Sequence, residues 1–513
     1  MKPALTAIRA LAASGTLFAL LGCFAIAPGS VADLPSAEEE NAGTAKHRTF
    51  QQTAPEEGLS PAIETKGDKA REETAREAKA GDASAQEAQP APEAPDSAAA
   101  AEEAQASVPP EAAGEEAAAR PAPEPVPAPA TDHHDTVLVS LQDPKASLDL
   151  ETPAGTIFSD TALSDWRSLS ATAMTMRASV CGNEICVKSE RGTKKLPAVA
   201  AIRAPKGSFV SVAGKKHRGE IWLRTEGKNI RPVARLDLEE YLGGVVPLEI
   251  GKLDRSGVEA LKAQAVAART YTVRRMKAGA KNGFHLHSDT RDQVYGGLSA
   301  EDDLVNEAIA ATAGLIVAWN GEPIEAYYHS TCGGRTADAS EVWGKQPVPY
   351  LVSVPDLAPD GTPWCAASRW CSWERTWTWD ELDGLVSKNM AAAKAEPPAP
   401  MKRLDRIQIL DNFADGRVRT LEVVGDGSKR ALVKGDRTRW LLSDPKQNGS
   451  ILPSAKFRLE PWGQEGVKAV GSGFGHGIGL CQMGARGRAK AGQNFRQILE
   501  AYYPGAKVEP IGR

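Results

Sequence analysis

The chain has 513 residues, 42% hydrophobic and 25% charged, with a formal net charge of −5. With no apolar run of about 18–20 residues, the composition excludes a polytopic membrane protein. Residues 24–135 carry 23 acidic and 8 basic side chains, which leaves everything from 136 onward at a net +8; an acidic tether joined to a mildly basic body is not one uniform globule.

In chain order, Lys2 and Arg9 precede an apolar stretch from Ala10 to Leu21. It is short for a membrane span and reads as a secretory signal over residues 1–22. The stretch ends Leu20-Leu21-Gly22-Cys23, which resembles a bacterial lipobox with Cys23 as the lipidated first residue of the mature chain. Cleavage nearer Ala27 is the plainer alternative. Either way the chain is expected to be exported, to the periplasm or cell surface, and Cys23 would add membrane contact through a lipid anchor. Residues 23–135 are rich in Ala, Pro and Glu, with Phe24 and Phe50 as their only aromatics. Such a segment buries too little apolar area to offset chain entropy and is expected to be a disordered linker.

Order is expected from Thr136. Val137 to Leu141 reads as a largely buried strand, and further strands are expected over Val199–Ile202, Ser208–Val212 and Glu220–Arg224. These define a β-rich lobe over 136–235. Helical signals dominate afterwards, in a region taken as 236–513. Asp237 caps Leu238 to Leu242. Ser256 with Glu259 reads as a capping box opening a helix with Val258, Leu261, Ala265, Ala268 and Met276 on one buried stripe. A last helix is expected from about Phe495 to Tyr503, stopped by Pro504-Gly505. Strands first and helices later predict an α+β fold.

Export sets the cysteine arithmetic. Apart from Cys23 six remain, an even number that suggests disulfides in an oxidising compartment. Cys181 and Cys186 bracket Gly-Asn-Glu-Ile, as a hairpin clipped by a local bridge would. Cys332, Cys365, Cys371 and Cys481 allow three pairings. They lack CxxC spacing, which argues against zinc.

Three patches stand apart from ordinary core. The first is Tyr241 to Glu249 (YLGGVVPLE) followed by Glu259 to Tyr271. The second joins Asp292 to Gly296 (DQVYG), Tyr327 to Thr336 (YYHSTCGGRT), Val342-Trp343-Gly344 and Pro349-Tyr350-Leu351. The third is Gly473 to Ala485 (GFGHGIGLCQMGA). Together and in this order they resemble the SpoIID/LytB family (stage II sporulation protein D), over about 136–513. That family includes peptidoglycan lytic transglycosylases and proteins described as amidase enhancers. The resemblance implies cleavage between N-acetylmuramic acid and N-acetylglucosamine, leaving 1,6-anhydro ends, or else a non-catalytic wall-binding role that activates a cell-wall amidase.

The resemblance also assigns residues. Glu249 matches the catalytic acid, on a loop at a helix entrance. Packed against Val245, Val246 and Leu248, its carboxyl should be desolvated and its pKa raised. Arg269 and Tyr350 are expected to support it, although an internal salt bridge is an equal reading of Arg269. Gln293, Tyr295, His329, His476 and Gln482 are expected to bind substrate, although a buried, hydrogen-bonded imidazole is an equal reading of His329 and a crowded core turn is the alternative for His476. Family members usually have Pro where this chain has Gly251. Metal-bearing members place His-Cys where this chain has Arg291-Asp292; with only His285 and His287 nearby, no metal and no cofactor are expected. The expected partner is the peptidoglycan glycan strand, with strands stripped of stem peptides preferred by family analogy. Trp364, Trp370, Trp373 and Trp377 read mostly as packing. Export disfavours nucleic acid.

Overall fold

Alternating burial marks the first strands. In Ser147–Thr152, Leu148, Leu150 and Thr152 point inward while Ser147, Asp149 and Glu151 face solvent, the period of a strand with one covered face. The computed structural model describes residues 136–512, apart from Thr161, residues 399–400, residues 444–448 and Gln464. The expected signal peptide, Cys23 and the linker lie outside the described residues. Among the described residues no helix is long and apolar enough to cross a membrane.

Two sheets build the N-terminal part. One has seven strands in the order Leu286–His287, Thr136–Ser140, Asn229–Asp237, Glu220–Glu226, Val199–Arg203, Thr156–Ser159 and Arg167–Ser170. The other has six, in the order Lys215–His217, Val210–Val212, Ser147–Thr152, Met174–Cys181, Glu184–Ser189 and Gly192–Leu196. Val137, Leu150, Ile185, Ile202, Ile221 and Leu223 are fully buried in one core that also takes in the helices. A disulfide joins Cys181 to Cys186 beside the turn between their two strands.

Asp237 caps Leu238–Gly243, accepting from the Glu239 and Glu240 amides. A short helix, Val246–Ile250, follows with Pro247 in its first turn and ends at Gly251, whose φ is 81°. Proline is locked near −65°, so the proline that the resemblance leads one to expect here could not adopt this backbone.

The central helix is Val258–Lys277. The expected capping box does not form: the Asp254 carboxylate accepts from both the amide and the hydroxyl of Ser256. Glu259 instead accepts from the Phe495 amide and pairs with Lys262. The expected single stripe is also overturned, because Leu261, Ala263, Val266, Ala267, Arg269 and Tyr271 are all buried. Its many alanines are small enough for neighbours to pack on every side, which erases the amphipathic period.

A second hydrophobic core runs from Trp373 to Ala469. It is built from two three-stranded sheets, one of Trp373–Thr378, Gly466–Gly471 and Phe457–Trp462, the other of Leu404–Asn412, Val418–Gly425 and Lys429–Lys434. Trp373 and Trp377 are buried inside it. The chain enters and leaves at one place: Trp373 pairs with Gly471, and the Gly473 amide donates to the Trp370 carbonyl at 2.7 Å. Beyond it, Leu480–Cys481 pairs in parallel with Tyr328–His329. The last helix, Phe495–Tyr502, is capped by Asn494 and Gln497, and Lys507–Pro510 then pairs with Leu315–Trp319. The fold is α+β, as expected.

Candidate active site

Glu249 lies within the helical turn Val246–Ile250, not on the expected loop. The Val245 carbonyl accepts from the amides of Leu248 and Glu249, and Pro247 presets the first turn. Val245, Val246 and Ile250 are buried around the turn.

The Glu249 carboxyl meets only neutral partners. The Val294 amide donates to Oε1 at 2.9 Å. The Gln482 side chain and the Tyr328 hydroxyl also bond to it. Burial pushes its pKa up to about 7, outweighing these three hydrogen bonds, which favour the charged form. The group can therefore carry a proton near neutral pH and still release it.

Its partners are themselves fixed. Gln293, fully enclosed, donates from Nε2 to the Tyr328 hydroxyl oxygen at 3.0 Å and accepts at Oε1 from Tyr241 and Thr272. With its oxygen occupied in this way, Tyr328 can turn its own proton toward Glu249. Gln293 thus lies behind Tyr328 and is buried, where a substrate contact is expected from the sequence. Gln482 is the first residue of the helix Gln482–Lys490 and is mostly buried. Tyr295 is also interior, with ring centroids 5.3 Å from Tyr241 and 5.7 Å from His217, and its edge crowds Gly244.

Two expected supporters of Glu249 stand elsewhere. Arg269 is completely buried and pairs with Glu239, Nε to Oε1 at 2.7 Å, and also donates to the Leu315 carbonyl. A buried guanidinium needs a counter-charge, and Glu239 supplies it across the helix packing. Tyr350 packs its ring 5.9 Å from Trp319, and none of its described contacts is with Glu249.

The two histidines form a neighbouring group. His476 Nδ1 accepts from the Ile478 amide at 3.1 Å, and His329 Nδ1 contacts the Ile478 carbonyl at 3.2 Å. Burial lowers both pKa values, that of His476 to about 3, so both rings are neutral. Ring centroids link His476 to His329 at 5.7 Å and to Trp343 at 5.1 Å, and Trp343 to Tyr327 at 4.7 Å. Trp343 and Tyr327 remain half-exposed and offer aromatic surface of the kind that stacks on sugar rings. Arg417 reaches in from the second core and lies over Gly477, where any Cβ would strike its guanidinium.

Sequence reasoning missed Tyr328, the Val294 amide and Arg417. Tyr328 sat inside a quoted motif beside His329, but only the parallel pairing with Leu480–Cys481 brings it to Glu249. Among the described residues, no second disulfide is present: Cys332, Cys365, Cys371 and Cys481 are free. The Cys332 and Cys365 sulfurs are 3.7 Å apart, far beyond a bond of about 2.05 Å.

A half-buried, protonatable carboxyl on a short helix within an α+β body defines a candidate general-acid protein. Comparison with known proteins gives the family. Residues 226–319 match the SpoIID family, described as stage II sporulation protein, and residues 364–479 match a domain of unknown function (DUF8618). The chain is 30% identical over 293 residues to stage II sporulation protein D of Bacillus subtilis, covering 54% of this chain and 75% of that protein. It is 31% identical over 297 residues to the amidase enhancer of the same organism, covering 52% of this chain and only 40% of that one. An uncharacterized protein of Brachyspira hyodysenteriae is 29% identical over 282 residues, covering 55% and 69% respectively. The chain belongs to the SpoIID family.

Proposed function

We propose that this protein is an exported cell-wall enzyme, a peptidoglycan lytic transglycosylase with Glu249 as its general acid and base. The observation that carries the reading is the half-buried Glu249 carboxyl, held among neutral hydrogen-bond partners, with burial raising its pKa to about 7. In the proposed reaction Glu249 gives its proton to the glycosidic oxygen as the bond to C1 breaks. The resulting carboxylate then takes the proton of the muramic acid 6-hydroxyl as that oxygen attacks C1. The proton count closes on one carboxyl, so the pair of carboxylates that flanks the bond in hydrolytic glycosidases is not required. Tyr328 and Gln482 hold the carboxyl through both protonation states, and the Trp343–Tyr327–His476 surface supplies sugar contact. The lipid anchor at Cys23 and a location at the cell surface or in the periplasm belong to the same proposal.

A second reading has its own support. One relative is named an amidase enhancer, and a glycan-binding body that activates a wall amidase would use the same aromatic surface without turnover. Incubating the full chain with peptide-free glycan strands and reading the ends by mass spectrometry separates the two, with Glu249→Gln alongside. Anhydro ends from the native protein alone are expected. Reducing ends would turn the reading to hydrolysis. Strands bound but uncut would favour the enhancer.

A further inference from the structure

The cysteines that spacing left unassigned converge from distant segments. Cys332 follows the strand Tyr328–His329; Cys365 opens the approach to the second core; Cys481 ends the strand paired with Tyr328–His329. The Sγ atoms of these three and one carboxylate oxygen of Asp356 all lie within 4.8 Å of one another, and all four residues are buried.

We propose that Cys332, Cys365 and Cys481 bind a structural zinc ion, with Asp356 as the fourth ligand. Four geometric and chemical points support it. Two thiolates at about 2.3 Å from a tetrahedral zinc stand about 3.8 Å apart, and the Cys332 and Cys365 sulfurs are separated by 3.7 Å. A disulfide gives each sulfur one partner, but the Cys365 sulfur is approached by those of Cys332, Cys371 and Cys481 together. The Cys481 sulfur accepts from the amides of Cys332 at 3.2 Å and Gly484 at 3.3 Å, so backbone donors fix where it points, as they do for a sulfur ligand. Finally, Asp356 is held as a ligating carboxylate usually is: Oδ1 accepts from Arg488 at 3.0 Å and Tyr502 at 2.9 Å, which leaves Oδ2 facing Cys332 at 3.1 Å.

Charge also closes. Three thiolates and a carboxylate carry −4; a zinc ion, Arg488 and the nearby Lys456, which donates to the Gly333 carbonyl, restore neutrality. This site is separate from the Arg291-Asp292 position, where metal-bearing relatives are expected to bind. Its role would be to fasten the base of the second core to the strand pair Tyr328–His329 and Leu480–Cys481. Those strands lead directly into Tyr328 and Gln482, the two side chains on Glu249.

The test is metal analysis of the full chain, purified without chelator and dialysed against zinc, with thiols counted after denaturation in chelator. One zinc per chain and four titratable thiols besides any at Cys23 are expected, with the metal lost in Cys365→Ser and kept in Cys371→Ser. Replacing zinc by Co2+ in the native protein should give the visible bands of a tetrahedral thiolate site, a readout that does not depend on any variant folding. Absence of zinc with the four cysteines oxidised in pairs would overturn the proposal. Loss of zinc on Cys371→Ser would overturn the ligand set in favour of four sulfurs.

Discussion

Two glutamates on consecutive short helices meet opposite surroundings. Glu239, on Leu238–Gly243, faces the fully buried guanidinium of Arg269. Glu249, on Val246–Ile250, faces an amide N–H, an amide side chain and a phenol. A cation would pin a carboxylate in its charged form; neutral donors in a half-buried site leave the proton free to come and go. The same residue type is thus a structural counter-ion in one place and an acid–base candidate ten residues later. Arg269 belongs to the first, and its absence from the second is what lets Glu249 titrate near neutrality.

The isosteric change Glu→Gln at each position separates these roles. Glu249→Gln removes the proton donor, and glycan cleavage should fall by about 10²–10⁴-fold, measured as anhydro ends released per unit time. Glu239→Gln leaves a buried guanidinium without its counter-charge, and urea unfolding should show a loss of about 3–5 kcal/mol. On the proposed mechanism the alkaline limb of cleavage reflects Glu249, and it should stay in place in the Glu239→Gln protein that remains folded. A displaced limb would mean that the two glutamates are coupled.

Stability against pH draws the same contrast more finely. The folded pKa of Glu249, about 7, lies above its unfolded value of about 4.5. Its contribution is therefore fully present below about pH 4.5 and is lost as pH rises through about 7, a change of up to about 3 kcal/mol. Glu249→Gln should flatten that dependence and be more stable than the native chain at about pH 8; equal denaturation midpoints there would contradict a desolvated carboxyl. Smaller still is Tyr328→Phe. It removes one donor to the carboxylate, so the limb should move upward by about half a unit to one unit, consistent with one hydrogen bond of about 1 kcal/mol. Tyr350→Phe should leave both cleavage and the limb unchanged.

Much of this arrangement was legible along the chain, and its failures have physical causes. Asp237 as a cap, the strand at Val137–Val139, the Cys181–Cys186 clip and the desolvation of Glu249 are all local: each depends on neighbours a few residues away. The partners of Glu249 are not. Tyr328 and Gln482 arrive through a parallel pairing of two-residue strands, too short to announce themselves. Of the two equal readings of Arg269 the internal salt bridge is the one found, with Glu239; the sequence could not choose because an alanine-rich helix buried on all sides gives no direction to its side chains. The cysteine group escaped because its members come from separate loops and strands, where CxxC spacing has no reason to appear. The second core was not anticipated because its strands, such as Val418–Gly425, follow a region whose tryptophans had drawn the reading toward packing alone.

The return of the chain at Trp373 and Gly471 bears on how the molecule folds. The Tyr328–His329 strand must find Leu480–Cys481 across about 150 residues, and contacts so distant in sequence slow folding. If the segment from Trp373 to Gly471 collapses first on its own core, its two ends already touch. The loop left to close is then a few tens of residues, and the entropy opposing closure falls with it. The separate core thus brings the two ends of a long segment together where the chain needs them, beside the strand that leads into Gln482.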